Sequence, residues 1–382
     1  MTEKSNQHSK LVYVIPHLSR DECEHFAHIP ALLAELGKNV DVIAVVERGA
    51  PPARLDGVRD VVKVTGRTRA GRLLSTVNVI RRCSAAGYDT YFLRYSQLFL
   101  AALVVTRPFF RHRILLWRSG ISDVVQPELR RSLRHRLQNA INRAQLRFVH
   151  RFVTGPESMV TYMSRRWRVP LGKMCLLYND VDTKRFTPLP LTERKAVRTG
   201  LGWREDEFVI LFVHRLSYRK GARLLAPLLH SLLSKADFPV RLVVVGDGPE
   251  RARIEQSAAD PALRGRMQLM GALPNHHLPK IYGAADCLLM PSLEEGFPRV
   301  LLEAMSAALP VVSTNAGGSV DVLSPHYPFV AGVGDVSGLV HHLMAVAQMS
   351  TAEREALGAR LRARVQANYS TENVAAMLQG LL

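Results

Sequence analysis

Short, fully apolar runs alternate along this chain with longer stretches whose apolar positions recur at helical spacing. Lys10 to Ile15 (KLVYVI) predicts a strand apolar on both faces. Phe26 to Leu36 predicts a helix that Gly37 ends, and Val40 to Val46 the next strand. The pattern continues with strands at Val58–Val64, Tyr88–Leu93, Arg113–Trp117, Arg151–Thr154 and Met174–Tyr178. Helices are predicted over Gly71–Ala86, Gln97–Thr106, Pro127–Val149 and Pro156–Arg166. Strands alternating with helices indicate an α/β fold with a doubly wound parallel sheet, whose ligands bind at the carboxyl ends of the strands. His17, Ser19 and Arg20 follow the first strand and Arg118 follows the strand at 113–117, so all four are expected to face a cleft.

The second half repeats the alternation. Strands are predicted at Phe208–Val213, Val240–Val245, Met267–Met270, Asp286–Met290 and Val311–Ser313, and helices at Ala222–Leu233 and Leu278–Ala285. Pro188 to Trp203 is polar, holds two prolines and reads as a linker. The expected organisation is a domain over 1–187, a linker over 188–203, a second domain over 204–368 and a helix over 369–382.

The stretch Pro291 to Pro310, PSLEEGFPRVLLEAMSAALP, carries the clearest chemistry. A strand end leads into an acidic loop, and Val300, Leu301, Ala304, Met305 and Ala308 then recur at helical spacing. Pro298 suits a helix start, where its missing N–H costs nothing. Glu295 in the loop and Glu303 in the helix are expected to face one site. A helix N-terminus favours an anion, and nearby carboxylates suit hydroxyls. A ligand with phosphates and hydroxyls, such as a sugar nucleotide, satisfies both. Taken alone, two Glu in such a loop read equally well as solvated charge.

Composition narrows the class. The 382 residues carry a net charge of +18, which points to a polyanionic partner. Residues 107–173 hold 15 Lys and Arg against three acids, Asp123, Glu128 and Glu157. In the helix expected at 127–149, Leu129, Leu133, Leu137, Ile141, Ala144 and Phe148 form an apolar stripe beside an arginine-rich face. That face is either solvated or rests on anionic lipid. The basic region is poor in interleaved aromatics, and no nucleic-acid motif occurs. Cys23, Cys83, Cys175 and Cys287 are scattered without a C-x-x-C, so neither a zinc site nor a redox pair is indicated. The N-terminus is polar and predicts no signal peptide. The apolar run Leu98–Val105 falls short of the ~20 residues of a membrane helix. A cytoplasmic protein, with a peripheral position on the membrane as a further expectation, follows.

Several segments together resemble family 4 of the retaining glycosyltransferases. The E-x7-E pair Glu295 and Glu303, with Gly296 and Phe297 between them, resembles that family's signature. His214-Arg215-Leu216-Ser217-Tyr218-Arg219-Lys220-Gly221 resembles its G-R-L-x-x-x-K-G loop, with His214 in place of Gly. VVVGDGPER resembles its second C-domain turn, and LLYNDVDTKRF the end of its N-terminal domain, where Asp180 and Asp182 would be structural rather than metal-binding. The first loop lacks the family's adjacent glycines.

The resemblance implies the GT-B architecture: two Rossmann-like domains facing a cleft, with the last helix, Thr371–Leu382, crossing back to the first. It implies transfer of a sugar from a nucleotide diphosphate sugar to an acceptor hydroxyl, with retention and without a metal or other cofactor. Arg215 and Lys220 would stabilise the leaving diphosphate, and Glu295 would approach the donor sugar. Glu303 would bind the ribose, Leu273 the base, and Gly296 and Phe297 would offer backbone N–H groups. The basic N-terminal half suggests a lipid-linked or anionic glycan acceptor, as in polysaccharide or glycolipid synthesis. A GT-B sugar-nucleotide epimerase or hydrolase, and a basic nucleic-acid binder, are the alternatives.

Overall fold

The computed structural model describes residues 9–18, 26, 28–118 and 144–382. The chain divides into two compact units, Met1–Tyr178 with Thr371–Leu382, and Asn179–Ser370.

In the first unit, β1 (Ser9–Ile15), β2 (Val40–Val46), β3 (Asp60–Lys63), β4 (Thr90–Arg94), β5 (Arg113–Trp117), β6 (Arg151–Thr154) and β7 (Met174–Leu176) form one sheet. Their order is β3-β2-β1-β4-β5-β6-β7, and every pairing is parallel. Both faces are covered, which is why the strands read as continuous apolar runs. One face packs on α1 (Ile29–Leu36), through Leu32, Leu33 and Leu36, and on the C-terminal helix through Val374 and Leu378. The other packs on α2 (Arg69–Ala85), α3 (Gln97–Thr106) and α4 (Glu157–Trp167), through Ile80, Phe99, Leu103, Met159 and Met163. The predicted helix over 127–149 falls almost entirely outside the described residues.

The first helix of the second unit, α5 (Leu191–Gly200), lies inside the stretch expected to be a linker. That expectation is corrected. The polar residues there are held by the domain rather than solvated. Arg198 is 1% exposed, donates to the carbonyls of Ala284, Arg204 and Glu207, and pairs with Asp286 at 3.0 Å. Trp203 is buried and donates to Gln268 at 2.7 Å.

The second sheet holds β8 (Phe208–Val213), β9 (Val240–Val245), β10 (Met267–Gly271), β11 (Cys287–Met290), β12 (Val311–Thr314) and β13 (Val330–Ala331), ordered β10-β9-β8-β11-β12-β13 and parallel. The helices that follow its strands are α6 (Leu225–Leu233), α7 (Arg251–Ala258), α8 (Leu278–Ala284), α9 (Arg299–Ser306) and α10 (Ser319–Leu323). Next come α11 (Val336–Gln348) and α12 (Thr351–Asn368), whose start is a full capping box between Ser350 and Glu353. The last helix, α13 (Thr371–Gly380), belongs to the first unit, where Val374, Ala375 and Leu378 join the core beside α1.

Each sheet has a point where strand order reverses, between β1 and β4 in the first unit and between β8 and β11 in the second. The carboxyl ends of the strands at such points are where open α/β sheets bind ligands.

Candidate active site

The second unit's reversal point gathers the sequence-predicted residues. His214 follows β8, and Ser292, Glu294 and Glu295 follow β11. Two glycines bring the loops into contact. Gly221 has φ +71°, and a Cβ there would lie 2.0 Å from the carbonyl oxygen of Pro291. Gly317 has φ +51°, and a Cβ would lie 2.0 Å from the carbonyl oxygen of Glu295. Only glycine tolerates both the left-handed backbone and the close approach. The backbone carbonyl of Arg219 accepts from the N–H groups of Leu293 and Glu294, which joins the two loops further.

Glu295 is the centre of this cluster and is 6% exposed. Its Oε1 accepts from Ser292 Oγ at 2.7 Å and lies 3.0 Å from His214 Nε2. Its Oε2 lies 2.8 Å from Lys220 Nζ. His214 Nδ1 accepts the backbone N–H of Arg215 at 2.9 Å. That bond leaves the ring proton on Nε2, so a neutral imidazole donates to Glu295. Burial lowers the His214 pKa against the pull of the Glu295 carboxylate, and Lys220 lowers it further. Burial would raise the Glu295 pKa, but the bond from His214 and the charge and bond of Lys220 win, and hold it at about 2.

The other predicted residues are placed as follows. Arg215 is exposed, and its side chain makes no bond with a described residue. Gly296 and Phe297 use their carbonyls, accepting from Gly318 N–H at 3.1 Å and Asn179 Nδ2 at 2.7 Å. Leu273 is half-buried just beyond β10. Nearby, a cavity of about 240 Å³ is lined by Leu216, Gly246, Arg251, Glu255, Met270 and Gly271, among others.

Glu303 has a separate set of partners from Glu295. It is 6% exposed, accepts from Tyr282 Oη at 2.9 Å, and has Arg299 Nη2 at 3.9 Å. Burial raises its pKa despite Arg299 and the Tyr282 bond. The two carboxylates expected to share a site therefore share no hydrogen-bond partner. A four-residue helical offset carries Glu303 from Arg299, which also donates to the Asp180 carbonyl at 2.7 Å. Asp182 Oδ1 accepts from the backbone N–H groups of Lys184 and Arg185. Among the described residues no group of three or more His, Cys, Asp or Glu could hold a metal ion.

In the first unit, His17 and Arg118 lie at the carboxyl ends of β1 and β5. Arg118 stacks on Trp167, with Cζ 5.6 Å from the ring centroid. Ser19 and Arg20 lie outside the described residues. Sequence reasoning assigned no role to His214 or Ser292, the two neutral donors on Glu295. The signal for His214 was its place in a position where glycine is usual.

Comparison with known proteins adds a likeness over part of the chain. Residues 193–364 match the model of "Glycosyl transferases group 1". The chain is 29% identical over 335 residues to the 2-deoxystreptamine glucosyltransferase of Streptomyces kanamyceticus, covering 82% of this chain and 86% of that protein. Several other curated relatives are matched over less of their length, 44% of one and 32% of another. Among solved structures, sucrose-phosphate synthase from Thermosynechococcus elongatus superposes with a TM-score of 0.79 at 20% identity, covering 98% of both chains. HepE from Anabaena, in complex with UDP, gives a TM-score of 0.75 at 17% identity, covering 97% of this chain and 99% of that one. No helix among the described residues is long and apolar enough to cross a membrane. Residues 193–364 are thus similar to the glycosyl transferases group 1 family, and the chain's two parallel α/β units have the GT-B fold of these solved structures.

Proposed function

We propose that this protein moves a sugar from a nucleotide diphosphate sugar to an acceptor hydroxyl, with retention of configuration and without a metal ion in the chemistry. The observation that carries the reading is a buried, ionised Glu295 joined to Lys220 at the second unit's reversal point, inside the family-matched segment.

As the glycosidic bond breaks, negative charge grows on the leaving diphosphate. Lys220 and the exposed Arg215 supply fixed positive charge for it. Lys220 is held by Glu295, so the diphosphate shares that ammonium rather than ordering it anew. Glu295 keeps two neutral donors, Ser292 and His214, whichever way Lys220 turns. An ionised carboxylate at the sugar stabilises positive charge developing at the anomeric carbon. The donor phosphate takes the acceptor proton as attack and departure occur on one face. The Gly296 N–H faces the sugar and phosphate with that of Phe297. Glu303 Oε1 accepts a ribose hydroxyl while Oε2 stays on Tyr282. The base lies beside Leu273.

The acceptor is proposed to be a lipid-linked or anionic glycan, bound by the basic first unit at the cytoplasmic membrane face. Charge supports this part. No specific observation favours the epimerase, hydrolase or nucleic-acid readings.

The test is thermal stabilisation by UDP, GDP and ADP, each with and without magnesium. A nucleotide at 100 times its dissociation constant stabilises by about 2.7 kcal/mol. One nucleotide should stand out, with or without the metal. If none shifts the melting temperature, alone or with membranes present, the reading fails.

A further inference from the structure

The first unit's reversal point holds a charge that no described residue neutralises. Arg94, the last residue of β4, is 1% exposed. Its Nη1 lies 2.9 Å from Nε2 of His28. A guanidinium can only donate, so the imidazole accepts. The guanidinium also stacks on Trp117, with Cζ 4.3 Å from the ring centroid. Its Nε and Nη2 are buried and have no hydrogen-bond partner. Among the described residues no carboxylate is paired with it.

Three physical arguments make this arrangement more than a poorly packed arginine. A buried guanidinium without a counter-charge is costly, and unsatisfied buried donors are rare in native proteins. The unpartnered Nε and Nη2 form one edge of the guanidinium, the edge that takes an oxyanion with two parallel bonds. His28, which holds the opposite end, is the N-cap of α1. A cation at a helix N-terminus meets the positive end of the helix dipole, which an anion there would turn to advantage.

We propose that Arg94 is the floor of an oxyanion site in the first unit, taking a phosphate group side-on through Nε and Nη2. His28 fixes the guanidinium from behind and Trp117 holds its plane. The edge is closed to solvent, so entry needs a local opening at the end of β4. Tyr95, the next residue, has φ +54°, a conformation costly for a bulky side chain, and is 39% exposed. Its ring meets Trp117 edge-on at 5.4 Å. We place that opening at the strained, exposed backbone of Tyr95, beside the buried edge. The phosphate is either a free ion or a group carried by a substrate. The site does not rest on the nucleotide-sugar reading.

The experiment uses the full chain carrying Arg215→Ala and Lys220→Ala, so that the second unit's cations do not answer. Thermal stability is titrated with inorganic phosphate and with glycerol 3-phosphate, at constant ionic strength with chloride as control. Saturable stabilisation beyond chloride is expected, absent in Arg94→Met and at least tenfold weaker in Arg94→Lys. Equal response to the two anions identifies a free ion; tighter binding of the ester identifies a substrate-borne group. The Nε–H resonance of Arg94 should shift in the same titration, which keeps the test open if Arg94→Met does not fold. An Arg94→Met response equal to the parent's, or a parent that responds no more than to chloride with its Nε–H unmoved, overturns the proposal.

Discussion

His214 and Glu295 meet with Nε2 3.0 Å from Oε1, and the other side of the imidazole is fixed by the backbone N–H of Arg215. One ring thus ties the carboxylate proposed to face the sugar to the residue proposed to hold the phosphate. The two bonds can be separated by substitution. Glutamine places an amide N–H near the position of Nε2 and asparagine an amide oxygen near Nδ1. His214→Gln should retain most activity. His214→Asn and His214→Leu should lose about tenfold or more, since a hydrogen bond to a buried charge is worth roughly 1.5–3 kcal/mol. Steady-state kinetics on the three variants decide this, and the loss should fall on kcat rather than on donor KM.

Acidification should destabilise the second unit in two stages of the same sign. His214 has a lowered folded pKa, so the unfolded chain binds its proton first and stability falls as pH drops below about 6.5. Glu295 is held at about 2, so its contribution is present above the unfolded carboxylate range and is lost as pH falls through the folded value. The second stage amounts to roughly 3 kcal/mol as an upper bound, because a neutral His214 contributes a bond and no charge. Urea melts from about pH 7 to about pH 2 should show both stages in the native chain. Glu295→Gln should remove the lower one, and a wild-type profile in that variant would be inconsistent with the assignment.

The glycine contacts separate by geometry. Gly317→Ala meets both a left-handed backbone and a carbonyl at 2.0 Å, and should cost about 2 kcal/mol or more. Gly200→Ala, at the end of α5, has nothing within 4 Å and should be neutral or stabilise by up to about 1 kcal/mol. Calorimetric melting temperatures of the two variants should move in opposite directions or differ by several degrees.

Arg198 tests the corrected boundary. Its guanidinium bridges α5 to Asp286 and to the carbonyls of Ala284, Arg204 and Glu207. Arg198→Ala leaves Asp286, 14% exposed at its side chain, with Arg194 as its remaining ion-pair partner. A loss of about 3 kcal/mol is expected, as for breaking a buried pair. A linker residue would cost almost nothing.

The alternation of apolar runs and helical spacing was enough to place most strands, because a sheet covered on both faces leaves an unbroken apolar signature. The stretch at 188–203 misled for a physical reason: Arg198 is polar in composition yet buried in fact, its charge answered by Asp286 nearly ninety residues away. The same limit explains Glu303. Its spacing from Glu295 is visible in the chain, but its Tyr282 partner lies on another helix and cannot be read from the motif. Arg94 carried no motif at all; its significance comes from what fails to approach it.

The central claim is that Lys220, Arg215 and Glu295 form the nucleotide-sugar site. The most direct measurement is a calorimetric titration of the best-stabilising nucleotide diphosphate into the native chain and into Lys220→Ala, Arg215→Ala and Glu295→Gln. The account predicts at least tenfold weaker binding for each cation variant, and near-native binding for Glu295→Gln together with lost turnover. Equal affinity in all four proteins would contradict it.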